Sequence, residues 1–371
     1  LATDARCTLG ARELRRIGVS EEPDAIFEDF SFTLSPDETL VFEKICAVQT
    51  SRDLENESLS TEQIVAKTVA QAEGAPGFET LYRESADAWK RLWQEKDIIV
   101  DTDWEFERQA IRYAIYNLTI TVPRHDARMN IGARGLQGHG YNNHVFWDTE
   151  VYMLPHFIFT EPQAARKLLQ YRYFGLAGAR QKAKDCGYTG AMYPWEAAWM
   201  TDVECCPAFA ETGRYEHHIT GDVVQAIFYY TAATGDRTFL EKYGYEIIFS
   251  TAKYWTSRVH YNEALDRYEI LDTIGPDENR EHIDNNAFTN YIAYLNLDYA
   301  VRCYDALAQQ NPDRLNELLA RSEAQGMRAE FEKVRDKLYL PRENEDGIVP
   351  QDDTYLADAA KIIERRKTEP G

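Results

Sequence analysis

The segment Thr273-Ile-Gly-Pro-Asp-Glu-Asn-Arg-Glu-His-Ile-Asp-Asn-Asn-Ala-Phe-Thr-Asn290 runs from a Gly-Pro turn into a helical pattern, and it organises the second half of the chain. Asp284 or Asn285 is a suitable N-cap for that helix. Glu278 therefore lies in an irregular segment just before a helix, the kind of loop in which catalytic groups concentrate. The alternative is that the acids of this segment only stabilise a turn and the first turn of a helix.

Beyond residue 101 the strong hydrophobic patterns are helical. Apolar residues recur at helical spacing near 103–121, 148–158, 162–184, 216–233, 237–257, 285–309 and 313–337. Long loops that carry most of the motifs separate these helices at 122–147, 186–215 and 259–284. Long helices joined by such loops predict an α/α toroid or barrel with a pocket at one end, and no sequence period indicates a tandem repeat.

The N-terminal part has a different pattern. The runs 25–34 and 39–48 alternate apolar and polar residues, which predicts two half-buried antiparallel strands with a turn at 35–38, the end of a β-sandwich. Two helices follow between Ser60 and Lys96, broken at 74–77. Leu356 to Gly371 is predicted to be helical and then to end in a charged tail, so we expect the chain to be truncated before the fold closes.

Composition and charge exclude several classes of function. The 371 residues carry 62 acidic and 41 basic side chains, a net charge of −21, which disfavours nucleic acid and anionic membrane surfaces as partners. No apolar run approaches ~18 residues, and no signal pattern opens the chain. The six cysteines lack the spacing of a zinc site or a disulfide framework. We expect a soluble, cytoplasmic protein without a bound metal.

Two loops place an aromatic ring beside a carboxylate. Trp147-Asp148 ends a glycine-rich loop that also contains Arg134, and Trp195-Glu196 ends the run 190–196, with Trp199 close behind. Such pairs suit sugars, because a ring covers the C–H face while the acid accepts hydroxyl protons. The glycine order fits neither a P-loop nor a dinucleotide fingerprint. For Trp147-Asp148 alone, a hydrophobic staple with an N-cap is an equally good interpretation.

The remaining candidates are acids and histidines. His217 and His218 are adjacent and point to different faces, so one hydrogen bond to a ligand and one packing contact are more plausible than a shared metal. No Gly-x-Ser-x-Gly elbow or catalytic cysteine signature occurs. Cleavage of a glycosidic bond needs a general acid, for which Glu278 is the candidate, with Asp277 nearby to raise its pKa by like charge.

Seven segments together resemble glycoside hydrolase family 65. They are Asn143–Glu150, Leu168–Tyr173, Ala177–Arg180, Gly190–Glu196, Glu216–Ile219, and Gly275–Glu278 with Asp284–Asn290. The resemblance extends from about residue 120 to 310. It implies that the protein is an inverting phosphorylase of maltose, trehalose, kojibiose or nigerose, or one of the family's few hydrolases. It also implies the end of an N-terminal β-sandwich (1–57), a helical linker (58–100) and part of an (α/α)6 barrel (101–371).

The same resemblance implies roles for individual residues. Glu278 corresponds to the family's general acid, and Trp147, Asp148, Trp195 and Glu196 correspond to the residues that hold the glucosyl unit. Arg134, His217 and His218 complete the predicted substrate-binding set. Asn279-Arg280 replaces the family's usual tyrosine and histidine, which leaves the acceptor sugar open.

Phosphorolysis and hydrolysis both stay open at this point. The family's phosphate-binding loop and Lys-Gln pair are expected beyond residue 371, and a hydrolase would need a second carboxylate to activate water. The expected reaction needs no cofactor, with inorganic phosphate as co-substrate in a phosphorylase. The expected partner is an α-glucoside, a homodimer is left open, and a non-catalytic sugar-binding α/α module is the remaining alternative.

Overall fold

The computed structural model describes residues 1–10, 12–23, 25–138, 140–198 and 203–368. The chain forms two compact units, Leu1–Asp101 and Thr102–Gly371. In the described ranges no helix combines the length and the apolar character needed to cross a membrane. The predicted division of the first unit at residue 57 stays a prediction.

Small antiparallel sheets open the first unit. Its strands are β1 (Ala2–Leu9), β2 (Arg12–Glu13), β3 (Arg16–Glu22), β4 (Ala25–Phe30) and β5 (Leu40–Ala47). One sheet has the order β2-β1-β5, and β3 pairs with β4. Cys7, Leu9 and Leu14 form a small core against which Phe30 and Leu40 pack.

The predicted hairpin between residues 25 and 48 is wrong in its pairing. The turn exists, because the Glu38 N–H donates to the Ser35 carbonyl at 3.0 Å. However, β4 pairs with β3, and β5 pairs with β1 along its whole length, from Ala2 opposite Ala47 to Leu9 opposite Leu40. Burial of β1 side chains selects this distant partner, which proximity in sequence could not indicate.

Two helices complete this unit, α1 (Thr61–Glu73) and α2 (Phe78–Lys96). Ser60 and Gln63 form a reciprocal capping box at the start of α1, so Ser60 is the N-cap. The break between the helices falls in the predicted Gly74–Gly77 segment.

The second unit is mainly helical. Its helices are α3 (Glu105–Thr121), α4 (Leu154–Thr160), α5 (Pro162–Phe174), α6 (Leu176–Asp185), α7 (Thr212–Tyr215), α8 (Ile219–Thr234), α9 (Arg237–Phe239), α10 (Tyr245–Arg258), α11 (Ala287–Gln310), α12 (Pro312–Arg321), α13 (Arg328–Lys337) and α14 (Tyr355–Thr368). The tail at 369–371 lies outside the described residues. Helix α8 packs against α5, α10 and α11, and these helices supply much of the core. The predicted fold class, an α/α barrel preceded by sheets and two helices, is confirmed.

Several predicted helix bounds were wrong. The stretches 162–184 and 313–337 each form two helices, and the helix predicted at 216 begins at Ile219, so Glu216 precedes it. A two-stranded hairpin, β6 (His260–Asn262) with β7 (Arg267–Glu269), lies where no strand was expected. Strands of three residues are too short to display an alternating pattern.

One glycine fixes a loop that leads to the site. Gly190 has a φ of +81°, and a Cβ atom there would lie 2.4 Å from both the Ser250 carbonyl oxygen and the Tyr254 nitrogen of α10. The neighbouring Ala191 N–H donates to the same Ser250 carbonyl at 2.9 Å. Backbone therefore packs directly on α10 here, which sets the start of the segment that carries Trp195.

Candidate active site

The loop that carries Glu278 is held at its base by backbone contacts. Thr273 and Ile283 exchange N–H to carbonyl hydrogen bonds of 3.0 and 2.9 Å across the loop. The Ile274 N–H and the Thr273 hydroxyl both donate to the Tyr215 carbonyl, at 3.0 and 2.8 Å. This pairing makes a parallel bridge between Ile274 and Glu216. The Glu278 loop is thus fixed to the segment that enters α8.

The other side of the loop packs on the start of α11. A Cβ atom at Gly275 would lie 2.2 Å from the Asn286 side-chain amide, so a larger residue would displace that amide. Asn286, and not the predicted Asp284 or Asn285, is the N-cap, since its side-chain oxygen accepts from the Thr289 N–H at 3.0 Å. Asp284 instead accepts from the Asp272 N–H. The loop and the helix start therefore form one packed structure.

Aromatic rings from three segments meet beside this loop. The Trp147 ring lies 6.4 Å from Trp195, 5.6 Å from Phe288 and 4.6 Å from the His218 ring, measured between centroids. Trp195 and Phe288 also contact His218, at 5.4 and 5.0 Å. The two predicted tryptophans are therefore brought together, with His218 enclosed between the rings.

Asp148 and Glu278 interact electrostatically at this cluster. Asp148 is half-buried, and its side chain does not cap the π-helical turn Thr149–Met153 that follows it. Burial raises its pKa, and the charge of Glu150 adds to the effect. Partial desolvation also raises the pKa of the Glu278 carboxyl; Asp148 adds to the increase and His218 opposes it. A carboxyl with a raised pKa is suited to donate a proton near neutral pH.

A buried ion pair supports the turn after Asp148. Arg172 on α5 is fully buried and binds Glu150 with two hydrogen bonds, of 2.8 and 2.9 Å. The same guanidinium donates to the Phe146 carbonyl at 2.8 Å. Arg172 therefore anchors the Phe146 backbone on one side of Trp147 and Asp148 and the Glu150 side chain on the other.

A single carboxylate holds the second aromatic–acid pair. Glu204 accepts from the N–H groups of Trp195, Glu196 and Cys206, at 2.8, 3.0 and 3.1 Å, and it binds the Lys182 ammonium at 2.5 Å. Glu196 itself is buried and bonds the His144 ring at 2.7 Å. The orientation of both predicted sugar contacts depends on Glu204.

A buried row of charges lies behind the rings. The His218 ring bonds Glu216 through Nε2 at 3.1 Å and Asp222 through Nδ1 at 2.7 Å, and all three side chains are fully buried. Burial alone would lower the pKa of His218, but the two carboxylates raise it to about 9. Burial raises the pKa of Glu216 to about 7, with contributions of opposite sign from His218 and Glu278. Imidazolium donates to both acids.

Some predicted residues lie elsewhere or act differently. His217 points away from the rings, and its Nδ1 bonds the Tyr254 hydroxyl and the Arg258 guanidinium. Burial holds its pKa well below the usual value. Arg134 is exposed over the Tyr141 ring, lining a separate cavity of about 440 Å³. His218 is enclosed by the aromatic rings, so these rings would separate it from a bound ligand.

The expected role of Asp277 is wrong. Its carboxylate bonds Asn279 and Gln351, and the Asn279 hydrogen bond lowers its pKa. The like charge that raises the pKa of Glu278 comes from Asp148 instead. Arg280 binds Asp352, and Trp199 lies outside the described residues.

Sequence reasoning missed several residues of the site. Asp222 stands four positions after His218, a spacing that brings side chains together on a helix and could have been noticed. Glu216 begins the segment Glu216–Ile219, but no sequence pattern indicated a role for its side chain. Phe288 and Glu204 had no local signal, because only the fold brings them to the rings. Among the described residues, no group of three or more metal-ligating side chains is arranged to hold an ion.

The fold defines a helical-barrel protein, and its candidate site combines aromatic rings with carboxyl groups. The sequence matches the glycosyl hydrolase family 65 central catalytic domain over residues 112–370 and that family's N-terminal domain over residues 1–92. The chain belongs to glycosyl hydrolase family 65.

Curated relatives include phosphorylases and a hydrolase. A kojibiose phosphorylase from Halothermothrix orenii is 42% identical over 89% of this chain and 44% of its own length. A kojibiose hydrolase from Flavobacterium johnsoniae is 38% identical over 75% of this chain and 38% of its length. The chain spans less than half the length of these relatives.

A solved structure titled "Putative kojibiose phosphorylase from human microbiome" has the same fold. It superposes with a TM-score of 0.77 at 21% identity, covering 96% of this chain and 46% of that one.

Proposed function

We propose that the protein cleaves an α-linked glucose disaccharide by inverting phosphorolysis, with Glu278 as the general acid. The observation that carries the proposal is the meeting of Glu278, Asp148 and the Trp147 and Trp195 rings in one place. Rings cover the apolar face of a glucosyl unit, and Asp148 accepts hydroxyl protons beside the cleaved bond. Glu196 extends the same sugar site from the Trp195 side.

The chemistry uses one carboxyl of this chain. Glu278 donates its proton to the glycosidic oxygen, which takes the electron pair of the breaking C1–O bond and leaves as a sugar hydroxyl. A phosphate oxygen attacks C1 from the opposite face, so the product is β-glucose 1-phosphate. The raised pKa of Glu278 favours the protonated starting form. Activity should fall as pH rises through that pKa.

Inverting hydrolysis is the second candidate. A relative at 38% identity carries the name kojibiose hydrolase, so water is a plausible nucleophile for this chain as well. Water would need a second carboxylate as base, roughly 6.5–9.5 Å from the acid. Kojibiose is the first substrate to test, since several curated relatives carry the name kojibiose phosphorylase.

Product analysis separates the candidates. The full-length protein is incubated with kojibiose, maltose, trehalose or nigerose, with and without phosphate, and glucose and glucose 1-phosphate are measured. Phosphorolysis predicts glucose 1-phosphate and turnover that requires phosphate. Turnover indifferent to phosphate would support hydrolysis, and sugar binding without any turnover would support a non-catalytic module.

A further inference from the structure

Glu278 lies in a tight turn that ends at Arg280. The Arg280 N–H donates to the Asp277 carbonyl at 3.0 Å, which makes Glu278 the second residue of the turn. The turn joins the backbone of Arg280 closely to that of Glu278. A group that fixes Arg280 in place therefore also fixes the position from which the Glu278 side chain extends.

The Arg280 side chain binds a buried carboxylate. Its Nε and Nη2 donate to the two oxygens of Asp352, at 2.7 and 2.9 Å, and such a two-bond contact fixes the orientation of a guanidinium. Nη2 also lies 2.9 Å from the Thr354 hydroxyl and 3.3 Å from the Asp358 carboxylate. Asp352 is only 1% exposed, so solvent screens this pair less than it screens an ion pair on the surface.

Asp352 is in turn attached to the start of α11. The carbonyl of the preceding residue, Gln351, accepts from the Ala287 N–H at 2.8 Å and from the Asn286 side-chain amide at 3.2 Å. Asn286 is the N-cap of α11, against which the base of the Glu278 loop packs. The loop is therefore bound to the start of this helix at its base through the N-cap, and at its turn through the ion pair with Asp352.

We propose that Arg280 and Asp352 are positioning residues for the general acid: their ion pair holds the turn in the place from which Glu278 reaches the glycosidic oxygen. This inference rests on the proposed function through Glu278 alone, and it is the same whether phosphate or water attacks the sugar. Asp352 is buried, and the Arg280 guanidinium is bonded to it, so the pair acts through the turn and does not contact the sugar.

Loss of the pair should slow only those reactions in which the leaving group needs a proton. Arg280→Ala frees the turn, and a small misplacement of the acid should lower kcat for the preferred disaccharide by about 10- to 100-fold, with KM within about threefold of the wild type. α-Glucosyl fluoride releases fluoride without a proton, so its kcat should stay within about threefold. The ratio of the two kcat values, disaccharide to fluoride, should therefore fall by at least about tenfold.

Asp352→Asn tests the same pair from its buried side. The Asn oxygen can still accept from the Thr354 N–H, as Asp352 Oδ1 does at 2.9 Å, but its NH₂ group then faces Arg280 Nε and that hydrogen bond is lost. The kcat ratio should fall by about five- to tenfold. Arg280→Lys keeps the charge without the two-bond contact, and it should recover part of the kcat that Arg280→Ala loses.

Arg328→Ala is the matched control. Arg328 makes the same kind of two-bond contact with Asp305, at 2.6 and 2.7 Å. Asp305 lies near the C-terminal end of α11, whereas the Glu278 loop packs on the N-terminal end. This variant therefore loses a comparable ion pair away from the acid, and its kcat ratio should equal that of the wild type. All variants are measured in the full-length protein at one fixed phosphate concentration.

A kcat ratio within about threefold of the wild type in Arg280→Ala, or in Asp352→Asn, would overturn the inference. An unchanged kcat with a raised KM for the disaccharide in Arg280→Ala would overturn it as well, because Arg280 would then contact the leaving sugar. If one of these two variants does not fold, the ratio in the other decides.

Glu278→Gln, measured in the same series, separates this inference from the proposed function. A strongly lowered ratio in Glu278→Gln with a wild-type ratio in Arg280→Ala removes the role of the ion pair and leaves the general acid in place. A wild-type ratio in Glu278→Gln itself would instead remove the proposed general acid.

Discussion

Substitution of Glu204 by Gln should weaken both folding and sugar binding, because one side chain holds the whole Trp195–Glu196 segment. Each oxygen of Glu204 accepts two hydrogen bonds: one from Trp195 and Lys182, the other from Glu196 and Cys206. Glutamine has one acceptor oxygen, so its NH₂ group must face two donors that then lose their acceptor. At about 1–3 kcal/mol for each of the two donors, the free energy of unfolding should fall by roughly 2–6 kcal/mol.

The assay is urea unfolding together with steady-state kinetics on the preferred disaccharide. A loosened Trp195 and Glu196 should raise KM by about tenfold, which corresponds to about 1.4 kcal/mol, with a smaller change in kcat. Glu323→Gln is the matched control: it also removes an acid paired with lysine, but Glu323 is 82% exposed, so stability should change by less than about 0.5 kcal/mol. Equal stability and equal KM in Glu204→Gln and wild type would refute this account of the segment.

Two further substitutions test the loop and a pH-dependent contact. Gly275→Ala places a Cβ atom against Asn286 and should displace the loop that carries Glu278, so kcat of this variant should fall about 100-fold. In the control variant Gly138→Ala the new Cβ atom meets no atom within 4 Å, so its kcat should match that of the wild type in the same kinetic assay. His282 bonds two carboxylates, which raise its pKa, so its contribution to stability is present below about pH 6.5 and is lost as pH rises through the raised value. His282→Gln should therefore lower Tm at pH 5.5 and leave Tm unchanged at pH 9, and an equal decrease at both pH values would contradict this assignment.

The helical class could be predicted from sequence because apolar spacing reports helices directly. Stretches such as 103–121 and 285–309 match α3 and α11 within about two residues. Strand pairing could not be predicted in the same way. β5 pairs with β1, more than thirty residues earlier, and nothing local to residues 25–48 distinguishes this partner from the neighbouring β4.

Site residues could be predicted where the side chain and its sequence neighbours alone indicate a chemical role. Trp147, Asp148, Trp195 and Glu278 were named from pairs and turns, and the fold brings them to one place. Supporting residues were harder to recognise in the sequence, since their role depends on contacts between segments that are distant along the chain. Glu204 is an ordinary acid in the sequence and becomes important only because two N–H groups of the Trp195 segment point at it.

The assignment of Glu278 is tested most directly by comparing two leaving groups in the full-length Glu278→Gln variant. With kojibiose and phosphate, the account predicts a loss of about 10²–10⁴-fold in turnover, since the leaving oxygen is no longer protonated. With α-glucosyl fluoride and phosphate, whose fluoride leaves without a proton, most of the activity should remain. Asp277→Asn, beside it, should behave like the wild type on both substrates. Turnover of kojibiose by Glu278→Gln within tenfold of the wild type would contradict the account.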